Sequence, residues 1–224
     1  MITPPAPGTT PANKGRTLPA EPLTRAEVER LLRELGGGVC GHRNRALVGM
    51  LWRAGLRITE ALSLYPKDVD GDGGTVTVLR GKGGRRRQVA LDGYAVALLD
   101  PWLTARAQLG IDRRAPLFCT VTRGSSGRSI HAEYVRHVLA RAGERAGILK
   151  RVHPHGLRHS CAFDLLMEGQ PLGAIKAQLG HAQLATTMRY LDHLGNREAI
   201  QAIRARPAPG PSGFAAAPRP APRS

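Results

Sequence analysis

Between His155 and Tyr190 the chain places the imidazoles of His155 and His181, the guanidinium of Arg158 and the phenol of Tyr190 in one short stretch. His155 and Arg158 stand three positions apart, so on a helix they share one face. His181 follows in a Leu-Gly-His turn, and nine positions later Tyr190 sits in a second amphipathic run, where a helix can carry the phenol towards the same pocket. These groups suit a phosphodiester. Arginine offers a planar fork that matches two phosphate oxygens, histidine donates to a third oxygen or shuttles a proton, and tyrosine can act as a nucleophile.

The order of these residues carries a family likeness. His155-x-x-Arg158, Leu179-Gly180-His181 and Tyr190 resemble the catalytic signature of the tyrosine recombinases, also called phage integrases. GLRITEAL at 55–62 resembles the segment with that family's first arginine, here Arg57. The likeness covers about residues 21–205. It implies a DNA strand transferase that works on double-stranded DNA as a homo-oligomer, with a partner recombinase or accessory protein as a further possibility, and with no cofactor. It also implies that Lys82 is the general acid that protonates the leaving 5′ hydroxyl, and that a C-terminal helix docks on a neighbouring protomer.

A phenol has a pKa of ~10 in water, so a tyrosine nucleophile needs cationic neighbours and a base. When Tyr190 attacks phosphorus, charge spreads over the non-bridging oxygens, where Arg57, Arg158 and His181 would donate without a metal. The product is a 3′-phosphotyrosyl bond and a free 5′ hydroxyl. One ester replaces another, so the step can run backwards onto a different strand.

Plainer roles stand beside these. Arg57 and Arg158 could be ion-pair partners of Glu60 or Asp164, Lys82 a solvated turn lysine, His181 a turn histidine and Tyr190 a core tyrosine. His155 could accept the proton of Tyr190 or hold the phosphate. His155 and His159 have the i, i+4 spacing of a zinc pair, yet Gly156 stands where the glutamate of HExxH would be, which argues against a metal. His159 is expected to make a structural hydrogen bond behind the site, and His193 to lie at the surface. His153 has no role readable in the sequence.

The elements that must position these groups follow from periodicity. Thr24 and Glu27 form a capping-box pattern that opens a helix with Val28, Leu31, Leu32 and Leu35 on one side, ended by Gly36-Gly37-Gly38. A second helix is expected over about 42–54, which puts Arg57 just past Gly55 at a helix junction. The period changes to two over 75–79 and 85–91, predicting a β-hairpin with Lys82 at its glycine-rich tip. No Ser or Thr follows that lysine, so it is not a phosphate-binding P-loop. Asp92 can cap a helix over about 93–109, and another spans about 130–146, with Arg136, Arg141 and Arg145 either solvated or lying along a phosphate backbone. A last helix, about 196–205, carries Ala199, Ile200 and Ile203 on one side.

The expected fold is therefore α+β and mainly helical, with a small β-hairpin or sheet at one edge. Residues 1–20 and 206–224 are rich in Pro, Ala and small residues and should be disordered tails around a catalytic domain at 21–205. A chain of 224 residues, 42% hydrophobic, can bury one proper core. Its net charge of +16 favours a polyanion bound in a salt-dependent way. Cys40, Cys119 and Cys161 are widely spaced, which argues against a disulfide framework and fits a reducing cytoplasm. No run of about 18 apolar residues could span a membrane, and no signal-peptide core opens the chain. Full-length relatives have an N-terminal helical domain that clamps the opposite face of DNA, and residues 1–20 are too short and polar to form one. The alternative function is therefore a DNA-binding module with the recombinase fold that does not turn over alone.

Overall fold

The computed structural model describes residues 22–79, 86–122, 124 and 126–180. Lys82, His181, Tyr190, His193, the two expected tails and the expected helix at 196–205 lie outside them. The chain divides into two compact units, Met1–Leu184 and Ala185–Ser224, and every described residue belongs to the first.

Helix α1, Arg25–Arg33, starts at the capping box expected from sequence: Thr24 Oγ1 accepts from the Glu27 amide at 3.3 Å and Glu27 Oε2 accepts from the Thr24 amide at 2.7 Å. It ends before the glycine run rather than in it, with Glu34 as its C-cap. Gly38 instead opens α2, Gly38–Trp52, four residues earlier than periodicity placed it. The reason is composition: the first turns, GVCGHRNR, hold two glycines and little apolar period, and the unbroken buried run, Ala46 to Trp52, comes only later.

Gly55 then takes φ +66, a left-handed turn that lets the chain reverse into the short helix α3, Ile58–Leu62. Arg57 is the residue just before α3, as the junction argument required. The hairpin is present as β2, Thr75–Val78, antiparallel to β3, Arg87–Ala90, with Val78 opposite Arg87 and Thr75 opposite Ala90. A two-residue strand not foreseen, β1 at Val69–Asp70, pairs with β2 and makes a three-stranded sheet in the order β1-β2-β3.

Asp92 caps α4, Gly93–Gln108, by accepting from the Ala95 amide at 2.8 Å. Helix α5 runs Ala132–Arg145, α6 Pro154–Met167 and α7 Leu172–Leu179. Helix α2 is the central rod, packed along α4 and α6. Trp52, Leu56, Trp102, Phe118 and Leu157 are fully buried in the main core. Cys161, Ala162, Ile175 and Leu179 form a small second core between α6 and α7.

Two of the three exposed arginines named on α5 have partners within the chain. Arg136 pairs with Glu133 at 2.6 Å, and Arg145 donates to the carbonyl oxygen of Glu34 at 2.5 Å, which ties α5 to the end of α1. All three cysteines are free thiols; burial raises Cys119 and pushes Cys161 up to about 12, so neither is a thiolate. Among the described residues no helix is long and apolar enough to cross a membrane.

Candidate active site

Three of the six expected site residues fall in the described part of the chain, and the fold brings them to one place. Arg57 comes from the α2–α3 junction; His155 and Arg158 come from the first turns of α6. They share that helix face because Pro154 at the first helical position and His153 at the N-cap fix where the helix begins. His153 Nδ1 accepts from the Gly156 amide at 3.3 Å, which gives it the role that sequence left blank. Histidine is an unusual cap, so the residue type offered no signal.

Glu60 is the hub. It is 2% exposed, and around it stand three guanidiniums. Its Oε2 accepts from the Arg57 amide and its Oε1 from Arg57 Nη1, each at 2.8 Å. Arg87 Nη1 and Nη2 donate to the two carboxylate oxygens at 2.9 and 3.0 Å, a bidentate fork. Arg158 Nη1 lies 3.8 Å from Oε2. Burial alone would raise the Glu60 carboxyl, but the bonds from Arg87 and the Arg57 amide outweigh it and hold it below the usual carboxylate range. Among the described residues, three guanidiniums thus stand around this one carboxylate.

The ion-pair reading of Arg57 and Arg158 with Glu60 is thus true without displacing the functional one. Asp164 is different: it accepts from Trp52 Nε1 at 2.8 Å and joins α6 to the end of α2.

Arg158 is 1% exposed. Its Nη1 donates to the carbonyl of Gly55 and its Nη2 to the carbonyl of Leu179. Both acceptors lie two residues before a candidate site residue, Arg57 in one case and His181 in the other. Burial, then repulsion from Arg57 and Arg87 only partly offset by Glu60, pushes its pKa down to about 10, so it stays charged at neutral pH. Arg57, whose side chain is 26% exposed, is the member of the cluster that faces solvent.

The turn before His181 is held from three sides. Gln178 uses both ends of its amide on the outer edge of β3: Oε1 accepts from the Ala90 amide at 3.0 Å, and Nε2 donates to the Ala90 carbonyl at 2.8 Å. Leu179 packs against Gly55 so closely that a methyl on that glycine would fall 2.5 Å from its Cδ2. Gly180 ends α7 with φ 72.

His155 and His159 face each other, Nε2 to Nε2, at 2.7 Å. One ring must donate and the other accept, so the pair holds a single proton between them. His159 is 6% exposed, and burial, then the neighbouring His155, His153 and Arg158, push its pKa down to about 4. Burial, Arg158 and Arg57 lower His155 as well. Both imidazoles are therefore neutral at pH 7, and the structural hydrogen bond behind the site expected of His159 is this one. Among the described residues no group of three or more His, Cys, Asp or Glu is placed to hold a metal ion.

Sequence reasoning missed Arg87 and offered Glu60 only as an ion-pair partner. A signal for Arg87 was present: in β3 it alternates onto the same face as the buried Val89, so a strand reading turns it inward.

The fold is a mainly helical domain with a three-stranded edge sheet, in which Arg57, Arg87 and Arg158 surround a buried carboxylate. Residues 21–197 match the Phage integrase family, and the chain belongs to it. It is 39% identical over 188 residues to tyrosine recombinase XerD of Mycobacterium leprae (strain TN), an alignment covering 80% of this chain and 58% of the relative. The chain thus spans a little over half the length of that relative. Among solved structures, XerA recombinase superposes with a TM-score of 0.69 at 29% identity, covering 88% of this chain and 70% of that one. XerH site-specific recombinase, in a post-cleavage complex with its palindromic difH substrate, gives 0.65 at 28% identity, covering 84% and 54%.

Proposed function

We propose that this chain cleaves and rejoins DNA strands through Tyr190 in site-specific recombination or integration. The observation that carries the reading is the convergence of Arg57, His155 and Arg158, from segments about a hundred positions apart, beside the carboxylate of Glu60. The bound substrate of the XerH relative, captured after cleavage, supports double-stranded DNA as the anion.

Tyr190 Oη attacks the scissile phosphorus, the bond to the 5′ oxygen breaks, and a 3′-phosphotyrosyl ester replaces the original one. His155 takes the phenolic proton or holds the phosphate, and Lys82 gives a proton to the departing 5′ oxygen. Arg57 and His181 donate to the non-bridging oxygens. Arg158 adds its charge and fixes the backbone on which both are carried. Removing one such donor costs ~10²–10³ in rate by analogy with oxyanion-hole deletions. The step exchanges one ester for another, so it consumes no nucleotide.

The catalytic unit spans about 21–205 with tails at 1–20 and 206–224. It acts in the cytoplasm as a homo-oligomer on DNA, alone or with a second recombinase or accessory protein.

The test mixes the protein with nicked duplex DNA from its own genomic flanks, where the freed strand diffuses away, and looks for a denaturant-resistant adduct. Wild type should form it and Tyr190→Phe should not, while both bind DNA equally. Salt-sensitive binding with no adduct from wild type would instead identify a DNA-binding module that does not turn over alone.

A further inference from the structure

We infer that Arg87 is a positioning residue for strand transfer: it neutralises and orients Glu60 so that Arg57 is held in place yet remains a net cation towards the scissile phosphate. The inference rests on the recombinase reading above.

Three features of Arg87 lead there. Its fork occupies both oxygens of Glu60 at 2.9 and 3.0 Å, while Arg57 takes one side-chain bond to the same carboxylate. If Glu60 were paired with Arg57 alone, carboxylate and guanidinium would cancel and a phosphate would gain little from meeting them. With Arg87 supplying the compensating charge, Glu60 can grip Arg57 through its amide and its Nη1 without discharging it.

Arg87 is also built in at a cost. Its side chain is 17% exposed and its Nε is buried with no hydrogen-bond partner. A buried ion pair with an orphaned N–H adds little stability compared with an apolar replacement, so its value lies in where it puts charge.

Its placement, finally, couples separate parts of the site. Arg87 stands at the first position of β3, opposite Val78, where the strand leaves the hairpin that carries Lys82. Its guanidinium lies over Gly180: a methyl group on that glycine would meet Cζ and Nε at 3.5 Å. One side chain thus touches the Glu60–Arg57 pair and the residue that precedes His181. Arg158 reaches the same two segments through their backbone carbonyls, and Arg87 does so from the first position of β3.

The experiment compares wild type, Arg87→Lys, Arg87→Met, Glu60→Gln and the Arg87→Met/Glu60→Gln pair. Single-turnover adduct formation is followed on nicked duplex at saturating DNA, and folding of each protein is checked by its unfolding curve. Arg87→Met should cut the cleavage rate constant by about tenfold to a hundredfold, less than loss of a direct donor, with DNA affinity within about twofold. Arg87→Lys should restore part of the rate. The double variant should lose much less than the product of the two single losses, because both act through one pair.

A second readout needs no turnover. The Arg57 Nε–H resonance, assigned by its absence in Arg57→Lys, should shift and broaden in Arg87→Met and return towards its wild-type position in Arg87→Lys. An unchanged Arg57 signal, or single losses that multiply fully in the double variant, overturns the inference. If wild type forms no adduct, the recombinase reading falls, and the Arg57 signal alone still decides whether Arg87 positions that guanidinium.

Discussion

The buried His159, hydrogen-bonded to the exposed His155, should make the domain acid-sensitive well above the range where carboxylates titrate. In the native state the His159 pKa is lowered from its ordinary 6.5 to about 4, chiefly by burial. The unfolded chain therefore binds a proton that the native one refuses between those values. Stability is complete above about 6.5 and drains away as pH falls towards 4. Between pH 7.5 and 5 this one site should cost about 2 kcal/mol of unfolding free energy, from a lowering at 1.36 kcal/mol per unit. His155 and His153 are lowered too and add in the same direction, whereas Asp164, raised by burial, works with the opposite sign. The fair comparison is therefore with His159→Gln, which can hydrogen-bond but not titrate. Urea unfolding at the two pH values should show wild type losing about 2 kcal/mol more than the variant. Equal losses would refute the argument that burial of a neutral His159 sets the acid limit.

Two further substitutions probe the frame around the site. Gly55→Ala forces a left-handed backbone on a residue with a Cβ, at about 1–2 kcal/mol, and drives that Cβ to within 2.5 Å of Leu179 Cδ2. With overpacking added, urea unfolding should show a total loss of about 2–5 kcal/mol. Gln178→Ala removes both amide bonds to Ala90 and should cost about 1 kcal/mol, since the strand edge is wet. Hydrogen exchange at the Ala90 amide should quicken in that variant while exchange along α2 does not.

The chemical groups and their order were legible without coordinates. Spacing alone put His155 and Arg158 on one helix face, the glycine at 55 marked the junction before Arg57, and alternation located the hairpin to within a residue or two. These succeed because helix face, left-handed turn and strand face are local properties, set by periods of 3.6 and 2 and by one residue's backbone freedom. The start of α2 was misplaced because its first turns, GVCGHRNR, carry two glycines and little apolar period to mark a helix. What only the tertiary structure decided is who meets whom. That Glu60 gathers Arg57, Arg87 and Arg158, that Arg158 spends its Nη groups on the carbonyls of Gly55 and Leu179, and that His159 backs His155 as a neutral partner all depend on packing α6 against the α2–α3 junction and α7 against β3. Such contacts join residues far apart in sequence, and the burial that makes them strong also shifts the protonation equilibria; neither is written in any local window of the chain.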